Sequence, residues 1–175
     1  TNLAISIAQS GKRVLILDAD MRRPRVHHAF GVSGKRGLTS ILVGDATLAS
    51  AVQQTIVPGL EVLACGPIPP NPAELLHRER FQKLMQEARA TYDFVICDSP
   101  PLGAGVDPFV LATDTGSLLL VLRSGETDRQ MAEAKLRILD RLPVRTLGAV
   151  LNHIDAGHGA YRYYSYSYGY ASEDE

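Results

Sequence analysis

The sequence predicts a three-layer α/β fold around a largely parallel β-sheet. Five short apolar runs recur along the chain: VLIL (14–17), LEVLA (60–64), FVIC (94–97), LLLVL (118–122) and LGAVL (147–151). Runs of this length, rich in Val, Leu and Ile, suit strands buried on both faces, as parallel strands are. Helical patterns with short connections lie between them, and such alternation builds parallel sheets covered by helices.

Taken in order, NLAISIAQ (2–9) reads as a helix that stops before Gly11, a residue suited to a helix C-terminus. VLIL comes next as the first strand. Residues 72–90 place Phe81, Leu84, Met85 and Ala88 on one helical face. Asn71, Pro72 and Glu74 mark that start as N-cap, first position and capping-box partner. A further helix is predicted over 126–141, with Met131, Ile138, Leu139 and Leu142 on one side. DAGHGA (155–160) reads as a hinge, dividing a domain over 1–155 from a flexible, tyrosine-rich tail over 156–175.

Length and composition fit one globular domain: 175 residues, 45% hydrophobic, 21% charged. A net charge of −1 supplies no global field for nucleic acid or anionic membrane. Cys65 and Cys97 match no metal-ligand spacing, and their apolar flanks predict buried free thiols and a reducing compartment. His27, His28, His77, His153 and His158 form no i, i+4 pair around a Glu, so no zinc site is expected. The longest apolar run, Leu118 to Leu122, is far short of the ~20 residues that span a bilayer.

Chemistry concentrates at the strand ends. VLILDADMR closes one predicted strand with Asp18 and Asp20, and FVICDSPP closes another with Asp98. Open parallel sheets bind ligands beyond the carboxyl ends of their strands. In an extended chain Asp18 and Asp20 face the same side. With Asp98 they make a partial oxygen shell suited to Mg²⁺, an ion that usually shares a nucleotide's phosphates. Strand-end aspartates also serve simply as turn caps, and a single one would be read so. The chain contains no G-x-x-x-x-G-K-[ST] phosphate loop, although a helix and strand like its first two elements normally come directly after such a loop. Because the sequence starts at Thr1 inside that helix, it is expected to be a fragment cut just after the loop.

These residues together resemble the bacterial tyrosine autokinases of capsular and exopolysaccharide biosynthesis. The likeness runs from NLAISIAQSGKRVLILDADMRRP through GLTSILVGD, PPNPAELL, FVICDSPP and VLNHID to the tyrosine-rich end. It implies a P-loop NTPase-like fold of the deviant-Walker, partitioning-ATPase type, with ATP and Mg²⁺ as cofactors. By position, Asp20 and Asp98 would hold Mg²⁺, and Asp18 would accept or orient the attacking tyrosine hydroxyl. Asn152 would read adenine, a task that suits a carboxamide's adjacent donor and acceptor; a strand-end turn is the other use of such an Asn. Arg22 completes the D-x-D-x-R pattern with three roles open: touching phosphate, touching a neighbouring subunit, or standing solvated. The substrate would be the tail itself, at Tyr161, Tyr163, Tyr164, Tyr166, Tyr168 and Tyr170, phosphorylated between subunits of a homo-oligomeric ring.

The resemblance further implies a cytoplasmic protein at the inner face of the plasma membrane, held there by a transmembrane activator, fused or separate. A tyrosine phosphatase is an expected partner, and nucleic acid is not. The expected outcome is control of polysaccharide export or chain length. A non-kinase ATPase switch of the septum-positioning or partitioning type shares the aspartate placement, and a catalytically inactive fragment is the other alternative. With no phosphate loop, the chain by itself is expected to show no autophosphorylation, and the same chain with the loop restored ahead of Thr1 to show it. Anti-phosphotyrosine blotting after incubation with ATP decides this, and strong signal from the chain alone overturns it.

Overall fold

The computed structural model describes residues 1–76 and 79–154. The chain separates into two compact units, Thr1–Thr115 and Gly116–Glu175. The first opens with α1 (Asn2–Gln9), β1 (Val14–Asp18), α2 (Val26–Phe30), α3 (Leu38–Val43) and α4 (Leu48–Ala51). It continues with β2 (Gln53–Gln54), β3 (Leu60–Leu63), α5 (Pro72–Leu76), α6 (Glu79–Thr91), β4 (Phe94–Asp98) and α7 (Asp107–Thr115). The second unit contains β5 (Ser117–Arg123), α8 (Arg129–Leu139) and β6 (Arg145–Asn152).

The first unit's sheet has the order β2-β3-β1-β4, with β1 parallel to both neighbours and β2 antiparallel at one edge. All five residues of β1 are buried, which is why its sequence is a continuous apolar run closed by one Asp. Its side chains alternate between two cores. Leu15 and Leu17 join Leu38, Leu63, Phe81 and Leu84 on one face, while Val14 and Ile16 join Ala4, Ala8, Val26 and Val62 on the other. Helices thus cover both faces of the sheet, giving the three layers and parallel pairing expected.

The predicted stop of α1 is met, Gly11 taking φ 83° just past the helix. The predicted helix over 72–90 is represented by α5 and α6, with residues 77 and 78 outside the described set. Asn71 and Glu74 do meet, but side chain to side chain at 3.3 Å rather than through backbone amides. Helix α8 is shorter than expected at both ends, and Asp128 caps it by accepting from the Met131 amide at 2.7 Å. Of its predicted apolar side, Leu139 is buried while Met131 and Ile138 are exposed.

Burial on both faces fails as a general rule for the strands. Strand β4 is half-buried at its centre, β5 alternates exposed with half-buried, and β6 is exposed throughout. Among the described residues β4 pairs with β1, and β5 and β6 pair with each other in parallel. Cys97 is correspondingly half-buried, whereas Cys65 is fully buried; both are free thiols. No helix among the described residues is long and apolar enough to cross a membrane.

One close approach locks the site-bearing end of this unit. The amides of Leu38 and Thr39 donate to the carbonyls of Ala64 and Cys65 at 2.8 and 2.9 Å, seating α3 on the end of β3. A Cβ on Gly37 would stand 1.9 Å from the Ala64 carbonyl oxygen, an overlap with rigid backbone. Gly37→Ala is therefore expected to destabilise the chain by about 1–3 kcal/mol, the usual cost of overpacking a filled space. Urea unfolding measures it, and an unchanged midpoint would refute the close packing.

Candidate active site

The chain leaves β1 toward β3 on one side and later returns to β1's other side as β4. Strand order therefore reverses between β1 and β4, and a crevice forms beyond their carboxyl ends. The pairing puts Asp18 directly opposite Asp98. A hydrogen bond from the Ala19 amide to the Asp98 carbonyl, 2.8 Å, carries the contact one residue further. Two carboxylates thus share one sheet edge because both strands end in Asp at the same register.

Asp18 has no exposure. Its Oδ2 accepts from the amides of Arg25 and Val26, both at 3.0 Å, and its Oδ1 from the Asp20 amide at 3.3 Å. The carboxyl is thereby turned toward the start of α2. Burial, joined by the Asp98 charge, outweighs these amide bonds and raises the Asp18 pKa to about 6. Beyond Asp18 the chain bends, and Asp20 Oδ1 accepts from the amides of Arg22 and Arg23 at 3.1 and 3.0 Å. Asp20 is half-buried and Asp98 exposed. Partial enclosure still raises the Asp98 pKa; the amino group of Thr1 opposes this and the Asp20 charge adds to it. Buried Cys65 stands near enough to feel both Asp18 and Asp20, and with burial as the main cause its thiol is pushed up to about 12.

The structure thus brings Asp18, Asp20 and Asp98 into mutual electrostatic reach, with the N-terminal end of α1 close to Asp98. Helix N-termini attract anions through free amides and the helix dipole. Asn152 ends β6 in the second unit, exposed, its Oδ1 accepting from the His153 amide at 2.9 Å while His153 takes φ 58°. Tyr161, Tyr163, Tyr164, Tyr166, Tyr168 and Tyr170 lie outside the described residues. Among the described residues, no three His, Cys, Asp or Glu side chains are grouped to hold a metal ion unaided.

Two features are not legible in the sequence. Arg22 is not simply solvated: its Nε donates to Asp107 Oδ2 at 2.9 Å. Its partner, Asp107, is buried in the first turn of α7. Nothing local in the sequence announces a partner 85 residues away.

Residues 1–121 match the family described as an AAA domain. Tyrosine-protein kinase YwqD of Bacillus subtilis (strain 168) is 42% identical over 164 residues, 93% of this chain and 69% of that relative. The chain belongs to the bacterial tyrosine-protein kinases. Another such kinase, Wzc of Salmonella typhimurium, is 36% identical over 170 residues; the match covers 95% of this chain but 24% of Wzc. Among solved structures, the kinase domain of the Escherichia coli tyrosine kinase ETK superposes with a TM-score of 0.85 at 38% identity. That likeness covers 90% of this chain and 62% of the ETK chain. The septum site-determining protein MinD of Pyrococcus horikoshii, solved with Mg-ADP, matches at a TM-score of 0.70 and 20% identity, a likeness of fold alone. It covers 86% of this chain and 61% of the MinD chain. The kinase family therefore shares the P-loop NTPase-like, mainly parallel architecture seen here.

Asp18 generates a pH dependence of stability. Unfolded, the group titrates near 3.8, and folded at about 6. Between those values the folded chain keeps a proton that the unfolded chain has lost. The group's stabilising contribution is therefore full below the lower value, declines as pH rises through the upper one, and is flat above. Asp18→Asn lacks this titration. The melting temperature of the variant relative to the unsubstituted chain is expected to be more favourable at about pH 7 than at about pH 4. A pH-independent difference would refute the raised pKa.

Proposed function

We propose that the chain is the catalytic segment of an ATP-dependent tyrosine autokinase that phosphorylates its own tail. The observation that carries this reading is the in-register meeting of Asp18 and Asp98, with Asp20 beside them, at the carboxyl ends of two parallel strands. The acceptors would be Tyr161, Tyr163, Tyr164, Tyr166, Tyr168 and Tyr170.

Phosphoryl transfer passes through a loose transition state, so the protein's work is to position groups and offset charge. ATP would present its phosphates to the N-terminal end of α1, next to Asp98. The donor set suits Mg²⁺: Asp20 and Asp98 place two like charges together at a strand end, and such sites commonly use one or two carboxylates plus phosphate. Mg²⁺ bound there would neutralise charge on the phosphate oxygens. Asp20 is prepared for this, since two amides fasten Oδ1 and so set the direction of the carboxylate.

Asp18 would align the tyrosine hydroxyl. A free phenol titrates near 10, and even at about 6 Asp18 is some four units less basic. Orientation is therefore its larger contribution. Its three amide bonds leave one of about four acceptor sites, on Oδ1, for the hydroxyl. Asn152 would read the adenine edge.

The tail is long enough for transfer between copies. From Ala156 to Tyr170 is about 14 residues, spanning at most roughly 50 Å when extended. Each phosphate adds about −1.5 to −2 charges beside Glu173, Asp174 and Glu175, so modified tails would repel and loosen a ring of subunits. Such a ring, working at the cytoplasmic face of the membrane with a transmembrane activator and a phosphatase, would regulate polysaccharide export or chain length.

The test mixes two chains, each given a phosphate loop ahead of Thr1. Asp18→Asn chains with intact tails are expected to gain phosphotyrosine from unsubstituted chains lacking residues 161–175. Mass spectrometry locates the phosphate, and absence of transfer sinks the reading of phosphorylation in trans. A switch ATPase would instead keep ATP turnover and incorporate no phosphate.

A further inference from the structure

Arg22 lies two residues beyond Asp20, and its amide helps fasten that carboxylate. Its guanidinium turns away, giving Nε to Asp107 at 2.9 Å. The Asp107 side chain is 3% exposed against 47% for Arg22. A carboxylate buried this deeply needs a charged or hydrogen-bonding partner to offset lost hydration. Asp107 Oδ1 has no such partner, which leaves Arg22 as the group that holds the side chain. Gly105, at φ 134°, lies beside the pair, and a Cβ built there would stand in ordinary contact with Arg22 Nη2, at 3.6 Å.

The pair has a consequence for the strand ends. Guanidinium groups bind carboxylates strongly and often in bidentate fashion. A free Arg22 would find Asp20, the carboxylate its own amide already touches, within the same turn. It would occupy the same oxygens a divalent cation needs.

We propose that Asp107 is a positioning residue that sequesters Arg22 and so keeps Asp20 and Asp98 open for a divalent cation. This rests on the metal assignment in the proposed function, and it assigns a role to a residue that touches neither metal nor substrate.

Mn²⁺ alone, added to the 175-residue chain, is the probe, because it accepts Mg²⁺-type oxygen ligands and broadens nearby NMR signals. Broadening is expected first at the amides around Asp20 and Asp98. Asp107→Asn should raise the Mn²⁺ midpoint by about three-fold, in line with competition from a partly exposed ion pair. Arg22→Gln should leave the midpoint near that of the unsubstituted chain. The double variant should return to the Arg22→Gln value, a rescue that a merely structural role would not produce. An unmoved midpoint in Asp107→Asn overturns the inference. So does an Arg22→Gln midpoint raised as far as that of Asp107→Asn, which would mean the pair merely ties two loops together.

Should Asp107→Asn fail to fold, the Arg22 Nε–H signal of the unsubstituted chain decides. Slow exchange with solvent is expected, and fast exchange overturns the inference. No broadening near Asp20 and Asp98 would overturn the inference while leaving the phosphate-assisted metal assignment of the proposed function standing. Normal Mn²⁺ behaviour without tail phosphorylation would remove the kinase reading alone.

Discussion

A bare carboxylate inside a protein is too costly to keep, and Asp18 ends the central strand with no exposure at all. Its oxygens are therefore supplied with the amides of Asp20, Arg25 and Val26. Those three bonds bend the chain immediately after β1 and start α2 beneath it. The bend places Asp20 at the strand end, where the amides of Arg22 and Arg23 fasten it in turn. Much of the site's geometry comes from satisfying one buried charge.

Parallel pairing supplies the rest. Because β4 lies beside β1 in register, Asp98 arrives opposite Asp18 rather than at an arbitrary depth. The raised pKa values of Asp18 and Asp98 come first from burial and then from the neighbouring carboxylate charge. The amides of Asp20, Arg25 and Val26 oppose the shift at Asp18. Arg22, whose amide binds Asp20, has its guanidinium engaged by buried Asp107. A concentration of negative charge that stays unquenched by its own neighbours is suited to attract a cation that arrives with phosphate.

Much of this was legible in order. The five apolar runs correspond to five strands, although burial on both faces explains the composition of β1 and not that of β4, β5 or β6. The acidic residues closing VLILD and FVICD were likewise readable, since strand ends are where an apolar run stops. Helices α2, α3, α4 and α7 and the two-residue β2 are not predicted from the sequence. Apart from the nine-residue α7 these are too short to display a period, and α3, for instance, is seated by the carbonyls of Ala64 and Cys65. Exposure along β5 and β6 is likewise not readable, because composition does not say what covers a strand's two faces.

The sequence by itself determined the α/β class, the strand positions, the carboxylates at the strand ends and the kinase likeness. These are local properties: apolar periodicity, side-chain chemistry and contiguous motifs are all written within a few residues. Only the tertiary structure decided that Asp18 is buried and amide-bound while Asp98 is exposed, and that Arg22 is held by Asp107. Those outcomes depend on which segments meet across 80 or so residues, as the register of Asp18 with Asp98 and the Arg22–Asp107 bond do. Long-range packing sets solvation, and solvation decides whether a carboxylate caps a turn, binds a cation or restrains an arginine.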